Sequence, residues 1–315
     1  MAARRGTRNL GSSLTRTTLV WVAIVIVVLV VIDIALVTLA LGRTAPNAGD
    51  PAGPIPTFSS SPRTSTSASP TPSPTASTAT DAAGSPRSLS VVDGQEAWRA
   101  TGGTCGGHAP TLEHTTDAGA TWKPVTLGTD VSSVMAIRAS SAELTILAGV
   151  GDDCTPTVRS STDDGVTWSA AGAGAAGAGV SPAGLVLSTG VVDPPCSAPI
   201  EAFQGKQTSV VICDGQFEWR SGTGDWVDVP LTGVRSVADA GNDYSLARVG
   251  AETCAGVQIE SMPAVSVTPA TTTTPVGCDA DAATDGPISL ARAGDDVWLW
   301  AGDTVSVSTD GGATW

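Results

Sequence analysis

An all-β fold built from repeated short sheets is what this sequence predicts, and three observations carry the prediction. After residue 42 long stretches alternate apolar and polar residues with period two, and no amphipathic helical face appears. An octapeptide of the form Ser/Thr-x-Asp-x-Gly-x-Thr-Trp recurs three times, ending at Trp122, Trp168 and Trp315. Short strand-like segments separated by Gly, Asp or Pro turns repeat in units of about 40–45 residues.

The chain divides unevenly before that repeat begins. Residues 1–17 form a basic head carrying Arg4, Arg5, Arg8 and Arg16 and no acid. Residues 18–42 contain the apolar run from Leu19 to Leu41, whose 23 residues make a helix of about 34 Å, long enough for a hydrocarbon core of about 30 Å. Its many β-branched residues do not argue for a strand, because a single segment in lipid must satisfy its own backbone hydrogen bonds as a helix. The excess of arginine before the run over the lone Arg43 after it places the N-terminus in the cytoplasm and the rest outside. A cleaved secretory signal is the competing reading, since Ala40-Leu41-Gly42 has the small-x-small form of a cleavage site, but the run is longer than the usual 7–15 residue signal core of about two to four turns. Asp33, inside the run, costs about 2.5–3.5 kcal/mol on insertion scales. Either the surrounding Val, Ile and Leu outweigh it, or it pairs with a second helix in an oligomer.

Residues 43–86 are a Pro/Ser/Thr-rich linker. Between Thr44 and Pro86 stand nine prolines and seventeen serines or threonines, with Phe58 the one aromatic residue. Such a segment cannot bury enough apolar surface to offset the entropy of folding, and it reads as an extended, disordered stalk.

From Ser88 onward there are 9 Lys or Arg against 27 Asp or Glu, a formal charge of −18. That field repels nucleic acid and anionic surfaces, so no nucleic acid is expected as a partner. All six cysteines lie here: Cys105, Cys154, Cys196, Cys213, Cys254 and Cys278. None has C-x-x-C spacing, and an even number in an oxidising compartment predicts disulfides. Six cysteines allow fifteen connectivities; nearest-neighbour pairing would join Cys196 to Cys213 and Cys254 to Cys278, leaving Cys105 with Cys154.

The three octapeptides are Thr115, Asp117, Gly119, Thr121 and Trp122 in the first copy, Ser161, Asp163, Gly165, Thr167 and Trp168 in the second, and Ser308, Asp310, Gly312, Thr314 and Trp315 in the third. Each position suits a tight turn: hydroxyl and carboxylate bond the turn backbone, Gly supplies a positive φ, and Trp covers the turn. "SGTGDW", Ser221 to Trp226, reads as a decayed copy. Around them "RSLSVVD", "EAWRATGG", "TLEHTT" and "TWKPVTL" give one four-strand unit, and "VSSVMAIRA", "ELTILAG", "TVRSST" and "VTWSA" the next. The spacing from Trp226 to Trp315 leaves room for two further units. The count is five, with "SAAGAGAAGAGVSPAG" as a flexible loop inside the third.

These octapeptides resemble the Asp-box, or BNR, repeat of sialidases and of many non-enzymatic β-propellers. The resemblance covers residues 86–315 and implies a β-propeller of about five four-stranded blades at 87–315, with the boxes on the periphery joining third to fourth strands. The last blade is expected to be incomplete, with an exposed edge or a truncated parent chain, because no strand follows Trp315 and the stalk before Arg87 makes a poor partner strand.

For catalysis a sialidase resemblance implies an arginine triad, an early Arg-Ile-Pro type tripeptide, a Tyr nucleophile with its Glu, and an Asp acid/base. No arginine after the stalk is followed by Ile-Pro or Leu-Pro, and the only tyrosine is Tyr244, a weak nucleophile candidate that reads first as a strand residue. Arg138, Arg159, Arg220, Arg235, Arg248 and Arg292 read as isolated strand arginines. His108 and His114 are the only histidines, so neither a Ser-His-Asp triad nor a His-based metal site is indicated. The acid pairs Asp152-Asp153, Asp163-Asp164 and Asp295-Asp296 and the run from Asp279 lack the spacing of a calcium loop. No cofactor or metal is predicted. Trp98, Trp298 and Trp300 are aromatic candidates for a binding surface, although Trp298 and Trp300 share a strand face that favours the core.

The expected whole is a single-pass cell-membrane protein, N-terminus cytoplasmic, whose extracytoplasmic propeller binds or scaffolds a glycan or envelope protein without catalysis. The alternative is a diverged exo-sialidase-like glycoside hydrolase.

Overall fold

The computed structural model describes residues 86–315. The basic head, the expected membrane segment at 18–42 and all of the linker but Pro86 lie outside the described residues; among those described, no helix is long and apolar enough to cross a membrane.

Six sheets form, each a simple meander. The first holds β1 (Arg87–Val91), β2 (Ala97–Thr101), β3 (Thr111–Thr115) and β4 (Lys123–Pro124), and the second β5 (Val131–Ala139), β6 (Leu144–Val150), β7 (Thr155–Ser161) and β8 (Ser169–Ala170). The third has three strands, β9 (Gly179–Ser181), β10 (Gly184–Leu187) and β11 (Gly190–Val192). The fourth holds β12 (Pro199–Gln204), β13 (Thr208–Cys213), β14 (Gln216–Ser221) and β15 (Val227–Val229). The fifth holds β16 (Val234–Asp239), β17 (Asp243–Arg248), β18 (Val257–Pro263) and β19 (Thr274–Asp279), and the sixth β20 (Ile288–Ala293), β21 (Asp296–Ala301) and β22 (Thr304–Ser308). The fold is an all-β propeller of six blades, which corrects the expected five.

Each blade interface holds its own apolar cluster, and the second strand of each meander contributes most to it. "LTILAG", "SVVIC" and "VWLWA" are buried along almost their whole length, because a middle strand has a blade packed on each face and needs no polar side. Trp98 and Leu112 meet Val134 and Ile146 between blades one and two. Leu147 meets Ala176 and Val186 between two and three, and Leu185 meets Val211 and Cys213 between three and four. Phe217 and Trp219 meet Tyr244 and Leu246; Ile259 meets Leu290 and Leu299.

The sixth cluster closes the ring. Leu89, Val91 and Ala97 of blade one pack against Ala291, Trp298 and Trp300 of blade six, and Trp298 Nε1 donates to the Asp93 carbonyl at 3.1 Å. The last sheet has three strands, yet no gap separates it from the first. Face-to-face burial of aromatic surface closes this ring, so closure does not require a strand borrowed from the other terminus.

The missed blade begins inside the Gly/Ala-rich segment read as a loop, which holds β9 and the first residue of β10, and continues through β11 beyond it. Its strands are short, rich in glycine and poor in alternation, so burial of Leu185, Val186 and Leu187 defines them more than local propensity does. This blade is also reversed. In β12, Pro199 pairs with Cys213 and Gln204 with Ser209; Leu185 packs beside Cys213, whereas the Ser188 N–H donates to Gln204 Oε1 at 2.7 Å. β10 therefore runs with β12, and β9 runs against the first strands of the other five blades. The odd strand number accounts for this in a blade that another blade follows. A four-strand meander returns the chain to the face where it started and a three-strand meander does not, so β9 starts from the opposite face and β11 ends where β12 begins; the three-stranded sixth blade has no described blade after it.

The octapeptides all make one turn. Thr115, Ser161 and Ser308 donate through their hydroxyls to Asp117, Asp163 and Asp310 at 2.8, 2.7 and 2.7 Å. Each Asp accepts the N–H of Thr121, Thr167 or Thr314 at 2.9, 2.8 and 2.9 Å and the hydroxyl of the same residue at 2.6, 2.6 and 2.7 Å. Gly119, Gly165 and Gly312 have φ of 82°, 81° and 93°, a conformation open to glycine at little steric cost. These hydrogen bonds hold each Asp carboxyl down to about 2. Beyond the turn, each Trp reaches the preceding blade: Trp122 packs with Trp298, Trp168 Nε1 donates to the Thr126 carbonyl at 3.2 Å, and Trp315 packs on the cluster of Ile259. Trp226 of "SGTGDW" packs on the cluster of Leu185 in the same way.

Three disulfides form: Cys105–Cys154, which ties blade one to blade two, Cys196–Cys213, and Cys254–Cys278. They are the nearest-neighbour set among the fifteen.

Candidate binding channel

The first strand of each blade has one edge without a sheet partner, and six such edges ring a central cavity of about 1130 Å³. Open edges with free N–H groups are a liability, and several are covered from the neighbouring blade. The Ala139 N–H donates to Ser90 Oγ at 2.8 Å, Leu290 N–H to Ser236 Oγ at 2.9 Å, and Val237 N–H to Glu201 Oε1 at 3.0 Å. Serine suffices at two of these positions; at the third a carboxyl group is placed in the channel wall. Burial pushes Glu201 up to about 7, against hydrogen bonds from Ser236 and the Val237 N–H that favour its charged form.

The cations gather here. Residues 86–315 contain ten Lys or Arg and 27 Asp or Glu. Five of those cations, Arg87, Arg138, Lys206, Arg235 and Arg292, line the channel, but only two of the acids do, Glu201 and Asp239. Their states differ. Arg87 lies 4.4 Å over the Trp300 ring and donates to the Gly302 carbonyl. Arg292 donates to Gly294 O at 2.7 Å and Ser245 Oγ at 3.0 Å. Among the described residues Arg138 donates to the Gln204 carbonyl alone, at 3.2 Å. Arg235 lies near the start of β16, and its buried Nε has no hydrogen-bond partner among the described residues.

The remaining arginines are engaged elsewhere. Arg159 pairs with Asp130, Arg248 with Glu260 at 3.1 Å, and Arg99 with Glu113 at 2.7 Å, while Arg220 covers the Trp226 ring at 4.4 Å.

Tyr244 does not line the channel. It is 2 % exposed in the cluster between blades four and five, its hydroxyl lies 2.6 Å from Thr208 Oγ1, and burial raises its pKa. Trp98, Trp298 and Trp300 are likewise buried at 2 %, 0 % and 3 % exposure, so they form blade interfaces and not an aromatic binding surface. His114 stacks on Trp98 at 3.9 Å and lies 3.1 Å from Glu96 Oε1; His108 sits in the loop held by Thr104. Among the described residues no group of three His, Cys, Asp or Glu could hold a metal ion.

Sequence reasoning missed Arg87, Lys206 and Glu201 as channel residues. The available signal was position: Arg87, Arg138, Glu201, Arg235 and Arg292 all fall on the first strand of a blade, and Lys206 follows one.

No family model matches the chain, and no curated protein matches it. Among solved structures it is similar to a GH74 enzyme of Niastella koreensis, at 14 % identity and TM-score 0.40 over 71 % of this chain and 45 % of that one. It is similar also to YCF48 bound to D1 peptide, at 18 % identity and TM-score 0.29 over 74 % and 81 %. A third is an α-L-arabinanase of Penicillium chrysogenum, at 11 % identity and TM-score 0.34 over 72 % and 78 %. The chain thus spans less than half of the Niastella enzyme.

Proposed function

We propose that this chain is a membrane-anchored propeller of the Asp-box type that binds a glycan or protein at the cell envelope without catalysis. The observation that carries the reading is the central channel: it gathers cations from five blades while the one tyrosine stays sealed in a blade interface. Such a cavity can hold and orient a ligand. The octapeptides serve as structural turns that join neighbouring blades, and the predicted span at 18–42 with its stalk holds the propeller outside the membrane.

The test is recovery of a saturable partner from membranes by the full-length chain, alongside an assay with fluorogenic sialosides. A specific partner with no turnover is expected. Hydrolysis would favour the second reading, a diverged glycoside hydrolase, for which Glu201 in the channel wall is the motivating residue; turnover abolished by Glu201→Gln would replace the binding reading with it.

A further inference from the structure

We propose that the channel recognises a short acidic peptide segment, its carboxylates received by Arg235 near the start of the first strands and by Arg138 and Lys206 towards their far end. The proposal deepens the binding reading above and rests on it.

Charge placement comes first. Half of the ten cations line a cavity that receives two of the 27 acids, so the channel is a basic interior within an acidic domain. Fixed cations facing a protein-walled cavity raise the local concentration of an anionic ligand. The acidic exterior repels an extended polyanion, which favours a short segment with a few charges.

The unmet bonding of those cations comes second. The Arg235 side chain has no hydrogen-bond partner among the described residues, its buried Nε included, and Arg138 spends one N–H on a backbone carbonyl. A guanidinium fork matches a carboxylate bidentately; Nε of Arg235 is itself buried, so a ligand carboxylate is received by the terminal N–H groups of that guanidinium. Arg87 and Arg292 are already engaged with the protein and shape the wall.

Room for a chain comes third. The lead-in to the reversed blade brings Gly174 and Gly177 to the channel wall, backed by the buried Ala176 and Ala178, and a Cβ placed on Gly177 would lie 3.6 Å from Arg138 Nη2. Small residues beside the arginine leave a path for an extended backbone. Phe203 is the one aromatic residue in the lining and no tryptophan joins it, so the faces on which sugar rings stack are scarce and a peptide is the better occupant.

The experiment measures fluorescence anisotropy of a labelled peptide alternating Glu and Ser, titrated with the full-length detergent-solubilised protein at low and at physiological salt. Arg235→Gln and Arg138→Gln are compared with Lys123→Gln, which removes an exposed cation on β4; equal melting temperatures establish that all are folded. Binding weakened by salt, lost about tenfold or more in the two channel variants and changed less than about twofold in Lys123→Gln, is expected. No saturable binding, or equal affinity in all three variants, overturns the proposal. So does tighter binding of an oligogalacturonate that depends on Arg235, because the site then takes a glycan. If membrane partners are recovered equally well by Arg235→Gln, this inference falls while the binding reading stands; if wild type recovers none and binds no peptide, both fall.

Discussion

Glu201 on the first strand of the fourth blade accepts the backbone N–H of Val237 on the first strand of the fifth, at 3.0 Å. This bond places an ionisable group between two blades where Ser90 and Ser236 do the same work elsewhere. Burial raises the Glu201 carboxyl from about 4.5 to about 7, so the folded protein holds that proton more tightly than the unfolded chain. The contribution is complete below about pH 4.5 and is lost as pH rises to about 7, amounting to about 3 kcal/mol at most. Urea unfolding of Glu201→Gln is expected to show a flatter pH dependence across that window; an unchanged slope would exclude the carboxyl as its source.

The octapeptide carboxylates act in the opposite direction. Asp117, Asp163 and Asp310 are held down to about 2 by hydroxyl and backbone donors, so their stabilisation is present above about pH 3.8 and is lost as pH falls towards about 2. Asp163→Asn is expected to lower Tm by a few degrees at neutral pH and to make the acid limb shallower, read by thermal melts across an acid series.

Ring closure depends on Trp298. It is fully buried between blades one and six, donates to the Asp93 carbonyl and meets Trp122 edge to face at 6.4 Å. Trp298→Ala is expected to cost about 3–5 kcal/mol in denaturant unfolding, with amide exchange rising first in β1 and β22. A loss under about 1 kcal/mol would mean that the other blade-six contacts suffice for closure.

The Cys105–Cys154 bridge spans 49 residues and joins two blades. On a chain-entropy basis its removal costs about 4 kcal/mol. Replacing both cysteines by Ser is expected to lower the urea midpoint by more than the same change at Cys196–Cys213, whose separation is 17. Equal losses at the two bridges would show that loop length is not the governing variable.

Strand positions, the turn motif and the placement of the cysteines were legible without coordinates because each rests on local chemistry. Alternation marks a half-buried strand; Asp, Gly and hydroxyl residues at fixed offsets mark one turn; and Cys196 with Cys213 and Cys254 with Cys278 each fall within one meander, whereas the Cys105–Cys154 bridge between two blades is settled by the structure. The third blade was not legible, because Gly179–Val192 lacks the β-branched alternation that announces a strand, and its sheet exists through the burial of Leu185, Val186 and Leu187 against blades two and four. Closure was likewise a matter of packing: Trp298 and Trp300 read as core residues, but only the ring brings them against Leu89 and Val91. The channel required most of the tertiary structure. Arg138, Lys206 and Arg235 are far apart in sequence and each reads alone as an ordinary surface residue; six first strands around one axis bring them to one cavity. The repeated all-β meander and its turns follow from residue order alone, since they depend on neighbours along the chain. The number of blades, the direction of the third and the basic lining of the channel depend on which blades face one another, and they emerge from the packing of the folded ring.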